Sequence, residues 1–229
     1  DVRILNPTSI IFVKIPMGMN IIDHLSWRYA TKSFDESRVV TQDKLDVLYN
    51  AFNLTATSYG LQPIKLMVLH NKAVQAELVA HAMGQKQIGQ ASHVLVFCIE
   101  TNIDADYIVD YFNRIKNVRN TPDQILEPFK SFLIDDFSNK PKETIENWAI
   151  KQAYLSMGNL LTVCAIEGID SCPMEGFDPN KCDELLSLKE KGLKSVLLLP
   201  IGYRAENDMF STLKKVRKQT GESVIIYEE

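Results

Sequence analysis

Two basic clusters stand at opposite ends of an acidic chain. Arg28 and Lys32 lie in Trp27-Arg28-Tyr29-Ala30-Thr31-Lys32-Ser33-Phe34, and Lys215 and Arg217 in Lys214-Lys215-Val216-Arg217-Lys218. Arginine offers phosphate a planar fork and lysine a point charge. Brought together by the fold, the clusters would make a compact cationic pocket for a small phosphate-bearing ligand. Taken singly, each side chain reads as a solvated surface charge, the ordinary state of Lys and Arg. The net charge of −4 argues against the broad basic face that a nucleic-acid binder needs, so any polyanion site must be local.

Other chemistries leave little trace. No strand is followed by Gly-x-Gly-x-x-Gly, and there is no P-loop, HExxH or GxSxG. Cys98, Cys164, Cys172 and Cys182 form no CxxC and no metal-ligand spacing with the four histidines. Cys98 and Cys164 read as core thiols, and Cys172, directly before the loop at 173–176, reads as core filler, with approach to a ligand as the alternative. A disulfide scaffold does not suit this length, which makes a reducing, cytoplasmic setting the default. His93 opens an apolar run and reads as structural, while His24, His70 and His81 lack triad company. Asp35 and Glu100 read as surface or capping groups. An enzyme with no visible acid–base or nucleophilic site commonly borrows its chemistry from a cofactor.

The elements that must position these residues follow from hydrophobic periodicity. Asn20 caps a short first helix ending near Tyr29. Thr41 caps a helix with Leu45, Leu48, Ala51 and Phe52 on one face. A hydroxyl-rich loop, 55–63, precedes a strand at Ile64–Leu69, a helix over about 71–83 and a buried strand at 93–99. Residues 103–138 read as two aromatic-rich helices broken at Thr121-Pro122. A long helix follows from about Lys142 to Glu167, stopped by Gly168, and its length suits central packing and a partner subunit. A short strand at 169–171, a loop at 173–176, a helix near 179–187 and an interior strand at 195–199 complete the pattern. The tail, 223–227, reads as an edge strand or an arm on a neighbour.

With 229 residues, 45% of them hydrophobic, and no repeat or linker, the chain reads as one α+β domain over 19–229. Ile10-Ile11-Phe12-Val13 is too short to span a bilayer, and residues 1–18 read as an N-terminal extension outside that domain. No membrane segment is expected.

Six segments in register carry a resemblance. They are Trp27–Asp35, Thr57–Pro63, Ala91–Phe97, Pro173–Asp178, Leu188–Gly192 and Lys215–Arg217. Together they resemble the FMN-dependent nitroreductase family across essentially all of 19–229, closest to its oxygen-insensitive NAD(P)H nitroreductase and dihydropteridine reductase branch. The resemblance implies a mixed, mostly antiparallel sheet flanked by helices, and an intertwined homodimer with the flavin at its interface. It implies an FMN site in which Arg28, Lys215 and Arg217 take the phosphate, with Tyr29 and Ala30 beside them. Lys32 lies at the pyrimidine edge of the flavin, where a cation stabilises the reduced ring. Thr57, Ser58 and Gly60 reach in from the second subunit, and Gln87 contacts the ring or ribityl chain. Pro173, Met174, Glu175 and Gly176 form a loop whose backbone N–H groups approach N5 and O4, so no side chain need act as acid or base.

Tyr59, Phe132 and Ile134 are then the candidates for a substrate channel. The implied activity is a ping-pong transfer of two electrons from NADH or NADPH to a small acceptor such as a nitroaromatic, a quinone or a quinonoid dihydropteridine. An FMN enone reductase, a reductive dehalogenase, or a flavin-binding storage module without turnover are the alternatives. Two positions depart from the family pattern: Ala30 replaces a common serine, and Tyr29 stands where a histidine often occurs.

Overall fold

Strand β2 (His93–Glu100) is apolar at every position but its ends, a pattern satisfied when both faces are buried. The computed structural model, which describes residues 20–228, has that arrangement. Leu95, Phe97 and Ile99 enter one helical layer, and Val94, Val96 and Cys98 enter the opposite one. Strand β2 pairs antiparallel with β1 (Ile64–Leu69) and with β4 (Leu193–Gly202). The two-residue β3 (Asp170–Ser171) joins the far side of β4, giving the order β1-β2-β4-β3. The α+β class is as expected, and the parallel component of the sheet is reduced to an isolated bridge between Ala30 and Ser171.

One layer contains α2 (Gln42–Asn53), α5 (Ala105–Arg119), α6 (Asp123–Asn139) and α7 (Lys142–Ile166). The other contains α3 (Lys72–Ala80), α4 (Gln87–Gln90) and α8 (Pro179–Leu185). Helix α7 is the spine, with 25 residues spanning roughly 38 Å at the usual rise per residue. Its buried positions include Ala149, Gln152, Ala153, Ser156, Met157, Leu160 and Cys164, at intervals of three and four. The small side chains among them bring the backbone close to the sheet. Gly168, at φ +64°, ends it in the left-handed region that glycine enters without strain.

Local signals hold at most boundaries. Asn20 and Asp23 form a reciprocal capping box on α1 (Ile21–Trp27). Thr41 precedes α2 as expected, but its hydroxyl makes no capping hydrogen bond. The helix expected over 71–83 stops at Ala80, because Met83 and Gly84 turn the chain with positive φ. The tail departs most: after the single turn α9 (Thr220–Ser223), residues 224–226 are exposed and belong to no strand among the described residues. A strand needs a neighbouring backbone row, and residues 224–226 lie in no strand of the sheet among the described residues, so the edge-strand expectation is not met there. The extension at 1–18 lies outside the described residues. All four cysteines are free and buried. No helix among the described residues is long and apolar enough to cross a membrane.

The buried His93 makes stability depend on pH. Its ring stacks on His70 with centroids 4.1 Å apart. The Ser92 hydroxyl accepts from Val40 N–H at 2.9 Å and lies 2.8 Å from His93 Nδ1, to which it can donate only when that nitrogen is unprotonated. Burial first, then the neighbouring His70 and Lys72, push His93 down to about 4. Between pH 6.5 and 4 the unfolded chain therefore binds the proton that the folded chain refuses, and stability falls as pH falls through that window. The full loss should be on the order of 3 kcal/mol. Denaturant melts of the wild type and of His93→Gln measure it; the variant should show a flatter pH slope, and equal slopes would contradict the assignment.

Candidate functional site

The fold brings the two basic clusters together. The Lys215 ammonium donates to the carbonyl oxygen of Arg28, and the Arg217 guanidinium is close enough to depress Arg28. Burial first, then Arg217, lower the affinity of Arg28 for its proton, and burial followed by Arg28 and Arg217 does the same to Lys215. Among the described residues no ion pair involves any of the three, and Arg28 Nε is buried without a partner. Three mutually repelling cations with an orphaned donor fit an anionic group such as phosphate. Lys214 and Lys218 remain exposed.

The 173–176 loop borders this pocket. Thr31 N–H donates to Ser171 O at 3.3 Å across the bridge from Ala30, and Arg28 and Lys32 both act on the buried Cys172 thiol. Cys172 N–H and Met174 N–H bond to Pro200 O and Leu198 O at 3.0 and 2.8 Å, so β4 fixes the loop. Among the described residues the amides of Glu175 and Gly176 have no acceptor, which leaves two donors for a ligand. Gln85, not Gln87, touches this loop, donating from Nε2 to Gly176 O at 3.0 Å. Gln87 opens α4, half-buried. A Cβ at Gly176 would lie 3.1 Å from Met83 Sδ, so the 83–87 turn presses closely on the loop.

Thr57, Ser58 and Gly60 occupy another part of the chain. Ser58 N–H donates to the buried Gln152 Oε1 at 2.9 Å, and Gln152 Nε2 donates to Trp148 O at 3.1 Å. Helix α1 instead contacts the far end of α7, where His24 Nδ1 lies 3.1 Å from Ala165 O. Gln152 and Ala165 are separated by about 20 Å of helix. Tyr59 adopts φ +58°, a strained geometry for a bulky residue that costs on the order of 1–3 kcal/mol. It is held there by the rings of Phe129, Phe137 and Trp148, at centroid distances of 6.3, 6.3 and 6.5 Å. Gly60 follows at φ +74°, and a Cβ there would collide with the Tyr111 hydroxyl.

Of the three channel candidates, Tyr59 and Phe132 join one exposed aromatic surface through Phe129, which stacks on Phe132 at 6.3 Å. Ile134 does not share it, and packs against the core beneath α6. The two positions lie about 200° apart around the helix, so they face opposite ways.

Three positioning residues escaped the sequence reading. Asp170 is buried and binds Arg204 through N–H to Oδ2 and Nε to Oδ1, both at 2.8 Å. The Arg204 guanidinium is sandwiched between the rings of Trp27 and Tyr29, at 4.3 and 4.6 Å. Asp208 accepts from the backbone of Lys32 and Ser33. Asp170 and Arg204 are joined across 34 positions and Asp208 and Lys32 across 176, so no local spacing announces them. A separate groove of about 460 Å³ runs along β1, lined among others by Phe52, Lys65, Tyr107 and Arg114, and contains none of the cationic pocket.

Comparison with known proteins gives the family and the fold. The family model described as "Nitroreductase family" matches residues 25–203. A Staphylococcus epidermidis protein, provisionally named an NAD(P)H nitroreductase, is 32% identical over 198 residues, covering 83% of this chain and 90% of its own. A provisionally assigned nitroreductase from Bacillus subtilis superposes with a TM-score of 0.80 at 20% identity, over 90% of this chain and 98% of its own. One from Exiguobacterium sibiricum, solved in complex with FMN, gives 0.77 at 16% identity, over 93% and 100%.

Proposed function

Because the chain belongs to the nitroreductase family, we propose that it is an FMN-dependent NAD(P)H oxidoreductase acting as a homodimer in the cytoplasm. The observation that carries the reading is the cationic pocket of Arg28, Lys215 and Arg217, with no ion-pair partner among the described residues, beside two loop amides that bond no protein acceptor there. In this reading the three cations hold the FMN phosphate, flanked by Tyr29 and Ala30. Lys32 stands at the pyrimidine edge, and its charge opposes the negative charge of the reduced ring. Pro173, Met174, Glu175 and Gly176 present their backbone to N5 and O4, and Gln87 flanks the ring or ribityl chain. When bound, FMN supplies ping-pong exchange of two electrons between NADH or NADPH and a flat electrophile, a nitroaromatic, a quinone or a quinonoid dihydropteridine.

The second subunit completes this site. Thr57, Ser58 and Gly60 sit on the first half of α7, remote along that helix from α1, which favours their serving the partner's flavin. Exposed apolar side chains on α1 (Ile21, Ile22, Leu25), α7 (Tyr154, Leu155) and the tail (Val224, Ile225, Ile226) support a covered interface. The tail is then an arm on the neighbour. Tyr59 and Phe132 line the acceptor's approach. A monomeric mass with FMN fully bound would refute the shared site.

A stopped-flow acceptor screen with the reduced protein tests the activity. Quinones or nitroaromatics should reoxidise it faster than dioxygen does. If none of them outruns dioxygen, the proposed acceptor class is wrong.

A further inference from the structure

Asp208 is a carboxylate that water does not satisfy, since the residue is only 3% exposed. Its Oδ2 accepts from Lys32 N–H at 2.7 Å and Ser33 N–H at 3.1 Å, and its Oδ1 accepts from Phe210 N–H at 2.9 Å. Ala205 N–H bonds Ser33 O at 2.9 Å and closes the same junction. One buried group therefore ties the segment bearing Arg28 and Lys32 to the loop leading to Lys215 and Arg217. The Lys32 ammonium lies 5.8 Å from the centre of the Phe210 ring, within cation–π range. Lys32 is thus held at both ends through Asp208, at the backbone directly and at the ammonium by way of Phe210.

Burial works against ionisation of Asp208, but the N–H groups of Phe210, Lys32 and Ser33, with the Tyr29 hydroxyl, outweigh it and hold the carboxyl below its usual range. The anchor therefore stays charged at neutral pH, where its hydrogen bonds are strongest.

Resting on the FMN reading above, we infer that Asp208 is a positioning residue that seats the Lys32 ammonium and thereby sets the electron affinity of the bound flavin. It touches neither flavin nor acceptor. Its effect runs through Lys32, and that dependence is what an experiment can isolate.

The test is the FMN midpoint potential of Asp208→Asn, measured by anaerobic reductive titration, alone and in a Lys32→Met background. Asp208→Asn should shift the potential to more negative values and weaken FMN retention about tenfold. In the Lys32→Met background it should cause no further shift in potential. An unchanged potential, a positive shift as expected from simple loss of a negative charge, or a shift of equal size without Lys32 would each overturn the inference. If Asp208→Asn does not fold, Phe210→Leu, at a position 41% exposed, should shift the potential in the same direction only when Lys32 is present. An unchanged potential there overturns the inference as well. Wild-type protein that takes up no FMN overturns the parent reading, whereas wild type that holds FMN with unresponsive variants overturns this inference alone.

Discussion

Replacing Arg28 and Arg217 together by alanine should leave the chain folded and deprive it of its flavin. Each is a charged donor in a pocket where no carboxylate among the described residues competes for it. A hydrogen bond to a charged group contributes about 1.5–3 kcal/mol, so losing both should raise the FMN Kd by roughly a hundredfold or more. The flavin-free protein should respond in the opposite sense. Without an anion, Arg28, Lys215 and Arg217 repel one another, so Arg217→Ala should leave the melting temperature of the flavin-free form unchanged or slightly raised. Flavin titration and thermal melts of both forms measure the pair of effects. A double variant that keeps FMN as tightly as wild type would remove the phosphate assignment.

Asp170→Ala should produce the largest loss of stability. The carboxylate is buried, and its removal leaves the Arg204 guanidinium between Trp27 and Tyr29 without a counter-charge. Breaking a buried pair from one side costs about 3–5 kcal/mol. Arg204 keeps some contact with water, so the lower end applies: about 3 kcal/mol, or a fall in Tm of roughly 6–12 °C for a chain of this size. The double replacement Asp170→Ala/Arg204→Met should recover part of that loss, since it buries no orphaned charge. A melting temperature within a degree or two of wild type would mean that Asp170 is not the anchor of this corner.

The contrast between these residues and the basic clusters shows what was legible in the chain. The apolar run at 93–99 and the three-and-four spacing of α7 are local patterns fixed by burial, and they announced the sheet and its spine. The meeting of Arg28 with Lys215 and Arg217 was legible because clustered cations at both ends of an acidic chain suit a common anion, and the fold brings them together. Asp170 and Asp208 were not, because one carboxylate bonded across 34 or 176 positions leaves no periodicity. Gln85 and Gln87 differ by two positions in a tight turn, and only the backbone geometry decides which one reaches Gly176. Ile134 and Phe132 were grouped by proximity in sequence, while the helix turns them to opposite sides. The tail misled for another reason: Val224, Ile225 and Ile226 are exposed and lie in no strand among the described residues, so their apolar pattern did not define a strand.

Anaerobic addition of NADH or NADPH to the FMN-loaded protein tests the central claim most directly. The oxidised flavin absorbance in the visible should bleach with one equivalent of nicotinamide per flavin, and return when a quinone or nitroaromatic is added. A flavin spectrum that neither nicotinamide alters would reduce the protein to a flavin carrier and contradict the enzymatic reading.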